Sequence, residues 1–117
     1  MTGCVRGMVG GLVIALVALG ALSVRAQDDP LFTVVRYHEA VRAAELCEDA
    51  KLTPRQLDRL AVLLGQMTQH RLPVGEELMA IREGRANLEA RVQTKGCDDP
   101  LVQDALHFYG TFRDRLG

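Results

Sequence analysis

The two cysteines Cys47 and Cys97 constrain the fold of this chain more than any other feature. They lie 50 positions apart, downstream of an N-terminal segment that marks the chain for export to an oxidising compartment. An even number of cysteines in a small exported domain indicates a disulfide. Closing a loop of this length stabilises a fold by about 4 kcal/mol in the chain-entropy model. The whole free energy of unfolding expected of so small a domain is about 5 kcal/mol. We therefore expect a disulfide between Cys47 and Cys97 on which the fold depends.

The N-terminal segment has the layout of a secretory signal peptide. Arg6 is the only charged residue before an uncharged, apolar run from Gly7 to Val24. Val24 and Ala26 occupy the −3 and −1 positions of a cleavage site, which predicts cleavage after Ala26. The alternative is an uncleaved N-terminal membrane anchor, because the 18 residues of the run are close to the minimum for spanning a bilayer. Either way Arg6 directs the rest of the chain outward, and we expect a periplasmic or secreted protein.

Removing residues 1–26 as a signal peptide leaves residues 27–117 as a single domain. Of the 14 basic residues Arg6 and Arg25 lie in the signal, so 12 remain against 15 acidic residues. No basic stripe points to nucleic acid, and no basic amphipathic face points to insertion of the mature chain into a membrane. Since Ser23 also lies in the signal, the mature part has no serine, which excludes a serine nucleophile.

Four segments of the mature chain have helical spacing, and none alternates with a period of two. We predict helices over residues 31–47, from 54 to about 70, over 74–94 and from 100 onward. Short connections between four helices predict an all-α fold, an up-and-down four-helix bundle tied by one disulfide. The alternative is an irregular helical array in which the first helix is partly extended. Neither form needs a cofactor.

Two helix starts have clear signals. Thr53 is a good N-cap, Pro54 suits the first helical position, and Gln56 completes a capping box. Before the last helix, Gly96 suits a helix end, and Asp98 or Asp99 suits the cap that precedes a proline. Adjacent acids at a helix start are what the helix dipole favours, so we do not expect them to be catalytic or to bind a metal.

The third helix is less regular than the others. Val74, Leu78, Ile81, Leu88 and Val92 recur at three- and four-residue steps and are expected to face inward. Arg85 interrupts this row. Gly84 weakens the helix by up to about 1 kcal/mol relative to alanine, and it marks either a bend or a close contact with another helix.

The sequence gives little support for a catalytic site or a metal-binding site. The cysteines are too far apart in sequence for a Cys-x-x-Cys redox site. His38, His70 and His107 fall on three different predicted helices, without a zinc-ligand spacing. We therefore expect no enzyme and no cofactor. One alternative remains, a small ligand- or metal-binding protein that uses a groove between the first and last helices near His38 and His107.

The stretches YHEAVRAAELC, TPRQL and GCDDPLVQDAL resemble small uncharacterised exported helical proteins of Gram-negative bacteria that have two cysteines. The chain is also loosely similar to the small periplasmic acid-stress chaperones, in which a first cysteine followed by acids, as in Cys47-Glu48-Asp49, forms a long-range disulfide. This second similarity is one of architecture, because this chain lacks the lysine-rich termini of those chaperones. Both resemblances imply a helical exported protein.

We expect a non-enzymatic periplasmic protein that acts through protein–protein contacts, as an accessory subunit or as a stress or chaperone-like protein. An apolar helical domain with few convergent polar groups suits binding better than turnover. Its partner is unidentified, and a homodimer is compatible with the sequence. The candidate contact residues are Phe32, Tyr109, Phe112 and Leu116, and the favoured alternative is that all four belong to the core.

Overall fold

The structure, a computed structural model, describes residues 29–117. In chain order these residues form α1 (Pro30–Cys47), α2 (Pro54–Met67), α3 (Val74–Lys95), α4 (Pro100–Phe112) and a 3-10 helix (Arg113–Leu116). No strand occurs between residues 29 and 117, so the prediction of an all-helical fold with four α-helices is confirmed. The predicted signal peptide and its cleavage site after Ala26 lie outside the described residues.

The capping box predicted at the start of α2 is present. The hydroxyl of Thr53 accepts a hydrogen bond from the Gln56 N–H at 3.2 Å, and the Gln56 side chain accepts one from the Thr53 N–H at 2.9 Å. Pro54 occupies the first helical position, where its missing N–H costs no hydrogen bond. Reciprocal capping of this kind satisfies two backbone donors that a helix start otherwise leaves free.

Asp99, and not Asp98, caps α4. The Asp99 carboxylate accepts hydrogen bonds from the N–H groups of Leu101 at 3.0 Å and Val102 at 3.3 Å. Asp98 is exposed and makes no capping bond. The reason is position, because only the residue directly before Pro100 brings a short carboxylate within reach of the first free N–H groups of the helix.

Helix α2 ends at Met67, three residues earlier than expected. Gln69 and His70 both adopt left-handed backbone angles, with φ of 56° and 55°. The N–H of His70 donates to the carbonyl of Gly65 at 2.8 Å, which closes the helix end. A Cβ on Gly65 would lie 2.8 Å from Cε1 of His70. The glycine therefore leaves room for the imidazole to fold back over the last turn.

Helix α1 is the centre of the array. It packs against α3, α4 and α2, whereas α2 and α3 make no contact with each other within residues 29–117. Consecutive helices alternate in direction, as in an up-and-down bundle. The most extensive contact nevertheless joins α1 to α3, a pair that would lie diagonally apart in a square bundle. The domain is thus a helical bundle in which the other helices pack around α1, rather than one in which four helices share a core equally.

Most of the buried apolar residues form two clusters along adjacent stretches of α1. One joins α1 to α2, the C-terminal end of α4 and the 3-10 helix, and the other joins α1 to α3 and the start of α4. The first cluster consists of Tyr37, Ala40, Val41, Leu60, Leu64, Phe112 and Leu116, and the second of Ala43, Leu88 and Val102. Both clusters include residues of α1, and that helix contributes the largest share of the core.

Cys47 and Cys97 are joined by a disulfide, as predicted from the sequence. Their Cα atoms are 5.9 Å apart, within the usual range for such a bond. The bond ties the last residue of α1 to the turn between α3 and α4. Gly96 ends α3 with φ of 84°, a left-handed angle that favours glycine. The turn from Gly96 to Asp99 therefore combines a helix end, a covalent link and a helix cap.

Candidate functional site

A groove of about 770 Å³ lies between α3 and α4, with α1 as its floor. The two walls meet near the disulfide, where Arg91 of α3 pairs with Asp99 at 3.3 Å and Val102 of α4 packs beside Leu88. Farther from the disulfide they leave part of α1 uncovered. The groove is lined by Phe32, Arg36, Glu39, Asn87, Leu88, Ala90, Arg91, Leu101, Asp104, Ala105, His107, Phe108 and Thr111.

The groove has a mixed lining, in which apolar residues lie along the interior and at the exposed edges among polar ones. Leu88, Ala105 and Phe108 are buried or half-buried along the interior. Phe32 and Leu101 line it as well, yet 46% and 54% of their surfaces remain exposed. Large apolar side chains left half in solvent at the border of a concave surface are typical of binding sites.

Arg36 stands between this groove and a second one. Its guanidinium carbon lies 4.1 Å from the centre of the Phe108 ring, a cation–π contact. The second groove encloses about 450 Å³ and shares Phe32, Arg36 and Phe108 with the first, and it reaches Met67 at the end of α2. The two grooves therefore form one continuous surface across the N-terminal half of α1.

Glu39 contributes a partly desolvated carboxyl to the groove. Burial raises the pKa of Glu39 above its usual value, and the negative charge of Glu83 raises it further. Arg36 and Arg91 act in the opposite direction without cancelling the rise in pKa. Glu39 makes no ion pair or side-chain hydrogen bond with residues 29–117. Besides Arg91 and the exposed Asp104, the groove thus holds a positive and a negative side chain that lie three residues apart on α1, Arg36 and Glu39.

The predicted contact residues fall into two groups. Phe32 is exposed and lines both grooves, so it remains a candidate contact residue. Phe112 and Leu116 are each only 1% exposed, so the expectation is wrong for them. Phe112 is enclosed by three aromatic rings, including Tyr37 at 4.7 Å, because the 3-10 helix closes over it. Tyr109 is half-buried against the same cluster.

The structure does not bring His38 and His107 into one groove. His107 is exposed and lines the groove between α3 and α4, whereas His38 is buried and is not among the lining residues. Burial, then the charge of Arg85, lowers the pKa of His38 from 6.5 to about 4, against the opposing charge of Glu45. Within residues 29–117 no three histidine, cysteine or acidic side chains are placed to share a metal ion.

His38 lies beside an ion-pair network that joins α1 to α3. The Glu45 carboxylate accepts hydrogen bonds from both terminal nitrogens of Arg85, at 2.7 and 3.1 Å, and from Arg42 at 3.3 Å. Arg42 also reaches Glu89 at 3.2 Å. Burial raises the pKa of Glu45, but its bonds to Arg85 and Arg42 outweigh burial and hold the pKa below its usual value. Arg85, which interrupted the apolar row, is therefore a structural ion-pair residue.

Sequence reasoning missed Arg36, Glu39 and Phe108 as groove residues. A signal for the first two was present, because Phe32, Arg36 and Glu39 recur one helical turn apart on α1. That row is separate from the buried row through Tyr37, and it could have been recognised as a second, amphipathic face. Phe108 gave no such signal, since any aromatic residue on an apolar helix is expected in the core.

No protein-family model, curated protein or solved structure matches this chain. Among residues 29–117 no helix is both long and apolar enough to span a bilayer. The groove is thus interpreted from its own geometry.

Proposed function

We propose that this protein is a non-enzymatic, exported helical protein that binds another protein, and that the groove between α3 and α4 is its contact surface. The observation that carries the proposal is the set of apolar residues in the groove, Leu88, Ala105 and Phe108, bordered by the half-exposed side chains Phe32 and Leu101. Folding leaves about half of the surface of each of these side chains in water. A partner that covers them removes their apolar surface from water, and this burial favours binding.

The composition of the groove also favours a protein partner. Aromatic residues and arginine are enriched where protein interfaces concentrate their binding energy, and the groove has Phe32, Phe108 and Arg36 side by side. An accessory subunit or a stress or chaperone-like protein would use such a surface. We place this activity in the periplasm, and the Cys47–Cys97 disulfide supports the proposal because such bonds persist in oxidising compartments.

Site-specific photo-crosslinking in living cells tests the proposed contact surface. A photoreactive amino acid at Leu101 should give a discrete adduct with one protein, identified by mass spectrometry. The matched control is Val62 on α2, which is 59% exposed but lies outside both grooves. A binding assay with the identified protein should then show weakening by Phe32→Ser and no effect of Val62→Ser.

Two results would contradict the proposal. One is the same adducts from Leu101 and Val62, which would indicate random collision. The other is the absence of any adduct from Leu101 when the protein is present at its natural level. Sequencing the N-terminus of the same preparation tests export separately, and we expect it to begin at Gln27.

A further inference from the structure

Two charged side chains of α1, Arg36 and Glu39, indicate what kind of segment the groove binds. Resting on the function proposed above, we infer that the groove takes an amphipathic α-helix of another protein. That helix carries, one turn apart on its apolar face, a carboxylate that pairs with Arg36 and a basic group that pairs with Glu39. The apolar residues of the same face cover Leu88, Ala105 and Phe108.

Arg36 is arranged to receive a carboxylate. Its guanidinium stacks on Phe108, and stacking occupies the flat face of the group while its N–H donors lie around the edge. No ion pair among residues 29–117 includes Arg36. Arginine beside an aromatic ring binds a carboxylate with defined geometry. A second positive group of the groove, Arg91, is already paired with Asp99.

The Glu39 carboxylate lacks a positively charged partner within residues 29–117. It is half-buried and has no hydrogen-bond partner among the described residues, and a carboxylate withdrawn from water without a partner is unfavourable. A basic group from a bound segment would supply the missing donor. Because Arg36 and Glu39 lie three positions apart on α1, the two complementary groups must also lie about one helical turn apart.

A helix fits this groove better than an extended segment does. An extended peptide gains affinity by pairing its backbone with a sheet edge, and residues 29–117 contain no strand. A helix satisfies its own backbone groups and can lay an apolar face on Ala105 and Phe108 without leaving polar atoms unpaired. The groove already has helices on three sides, α1, α3 and α4, so a fourth helix completes the packing.

Two synthetic peptides test the inference against the protein expressed from the full 117-residue sequence. Each is a helical peptide of about 15 residues, long enough to span about 22 Å, with leucines on one face. The charged probe carries Glu and Lys one turn apart within that face, and the neutral probe carries Gln at both positions. Fluorescence anisotropy should give a Kd about tenfold lower for the charged probe than for the neutral one.

The double variant Arg36→Gln/Glu39→Gln should bind both probes with the Kd of the neutral probe. Arg55→Gln/Asp58→Asn is the matched control, because Arg55 and Asp58 have the same charges and spacing on an exposed face of α2, and it should keep the preference. Equal Kd values for the two probes on the unmodified protein, or binding of neither, would overturn the inference. Such a result leaves the crosslinking test intact, so the two proposals can fail separately.

Discussion

The backbone of Val35 lies against Gly84 so closely that no side chain fits between them. A Cβ built on Gly84 would be 2.5 Å from the carbonyl oxygen of Val35. The obstructing atom belongs to the backbone of α1, so it cannot rotate away as a side chain could. The contact between α1 and α3, the most extensive in the domain, therefore depends on a missing methyl group.

Gly84→Ala should lower the free energy of unfolding. At an open helical position the same change raises it by up to about 1 kcal/mol, because glycine is a poor helix former. At Gly84 the added methyl forces the two helices apart, and we expect a net loss of about 1–3 kcal/mol, measured as a lower urea midpoint. Gly110→Ala in α4 is the control, since a Cβ there meets no atom within 4 Å, and it should raise the midpoint. Equal midpoints for both variants would contradict the close approach.

The same contact explains why the inward face of α3 was predicted correctly only in part. Leu88 is buried and Val92 packs against its cluster, as expected. The apolar row that includes Val74 and Leu78 was expected to face the core, yet these residues are 73% and 50% exposed. The buried row is Ala80, Gly84 and Leu88. Small residues allow two helix backbones to approach and to bury a long contact, whereas larger side chains would hold them apart. A prediction that ranks residues by hydrophobicity alone does not place such small residues at the contact between the helices.

Features set by local chemistry were predicted well, and features set by helix orientation were not. The capping box at Thr53 and Gln56, the helical spacing of α1 and the link between Cys47 and Cys97 each follow from neighbouring residues or from cysteine number. The groove depends on the angle between α3 and α4, which no local pattern specifies.

Loss of the disulfide should remove most of the stability of the domain. The bond between Cys47 and Cys97 closes a loop of 50 residues, and replacing both cysteines by alanine should lower the free energy of unfolding by about 4 kcal/mol. Thermal melts with and without reductant measure the same effect without mutation. A melting temperature that reductant does not change would contradict the dependence of the fold on this bond.

Acid should destabilise the domain through His38. The pKa of His38 is 6.5 in the unfolded chain and about 4 in the fold, so the unfolded state binds a proton first as the pH falls. The contribution of His38 to the free energy of unfolding is therefore fully present above pH 6.5. It is lost between pH 6.5 and about 4, and the loss amounts to about 3 kcal/mol. Glu45, whose pKa is lowered, adds to the loss at still lower pH as it protonates and releases Arg85.

Urea unfolding at several pH values measures this effect. In His38→Leu the free energy of unfolding should no longer fall between pH 6.5 and about 4.5, and protonation of Glu39, whose pKa is raised, should increase it slightly. His107→Gln, a change on the exposed face of α4, serves as the control and should retain the full pH dependence. If His38→Leu kept the same slope as the unmodified protein, burial of a neutral His38 would not be its source.

The adjacent acids Asp98 and Asp99 offer a direct test of the turn that joins α3 to α4. Asp99 accepts hydrogen bonds from the N–H groups of Leu101 and Val102 and pairs with Arg91, whereas Asp98 is exposed. Asp99→Ala should lower the free energy of unfolding by about 1–2 kcal/mol, because the first N–H groups of α4 lose their acceptor. Asp98→Ala should change it by less than about 0.5 kcal/mol.

Asp99→Asn separates the two roles of Asp99, since an amide still caps a helix but cannot form an ion pair with Arg91. This variant should recover most of the loss. Equal effects of Asp98→Ala and Asp99→Ala would mean that the second acid is not the cap and that α4 begins differently.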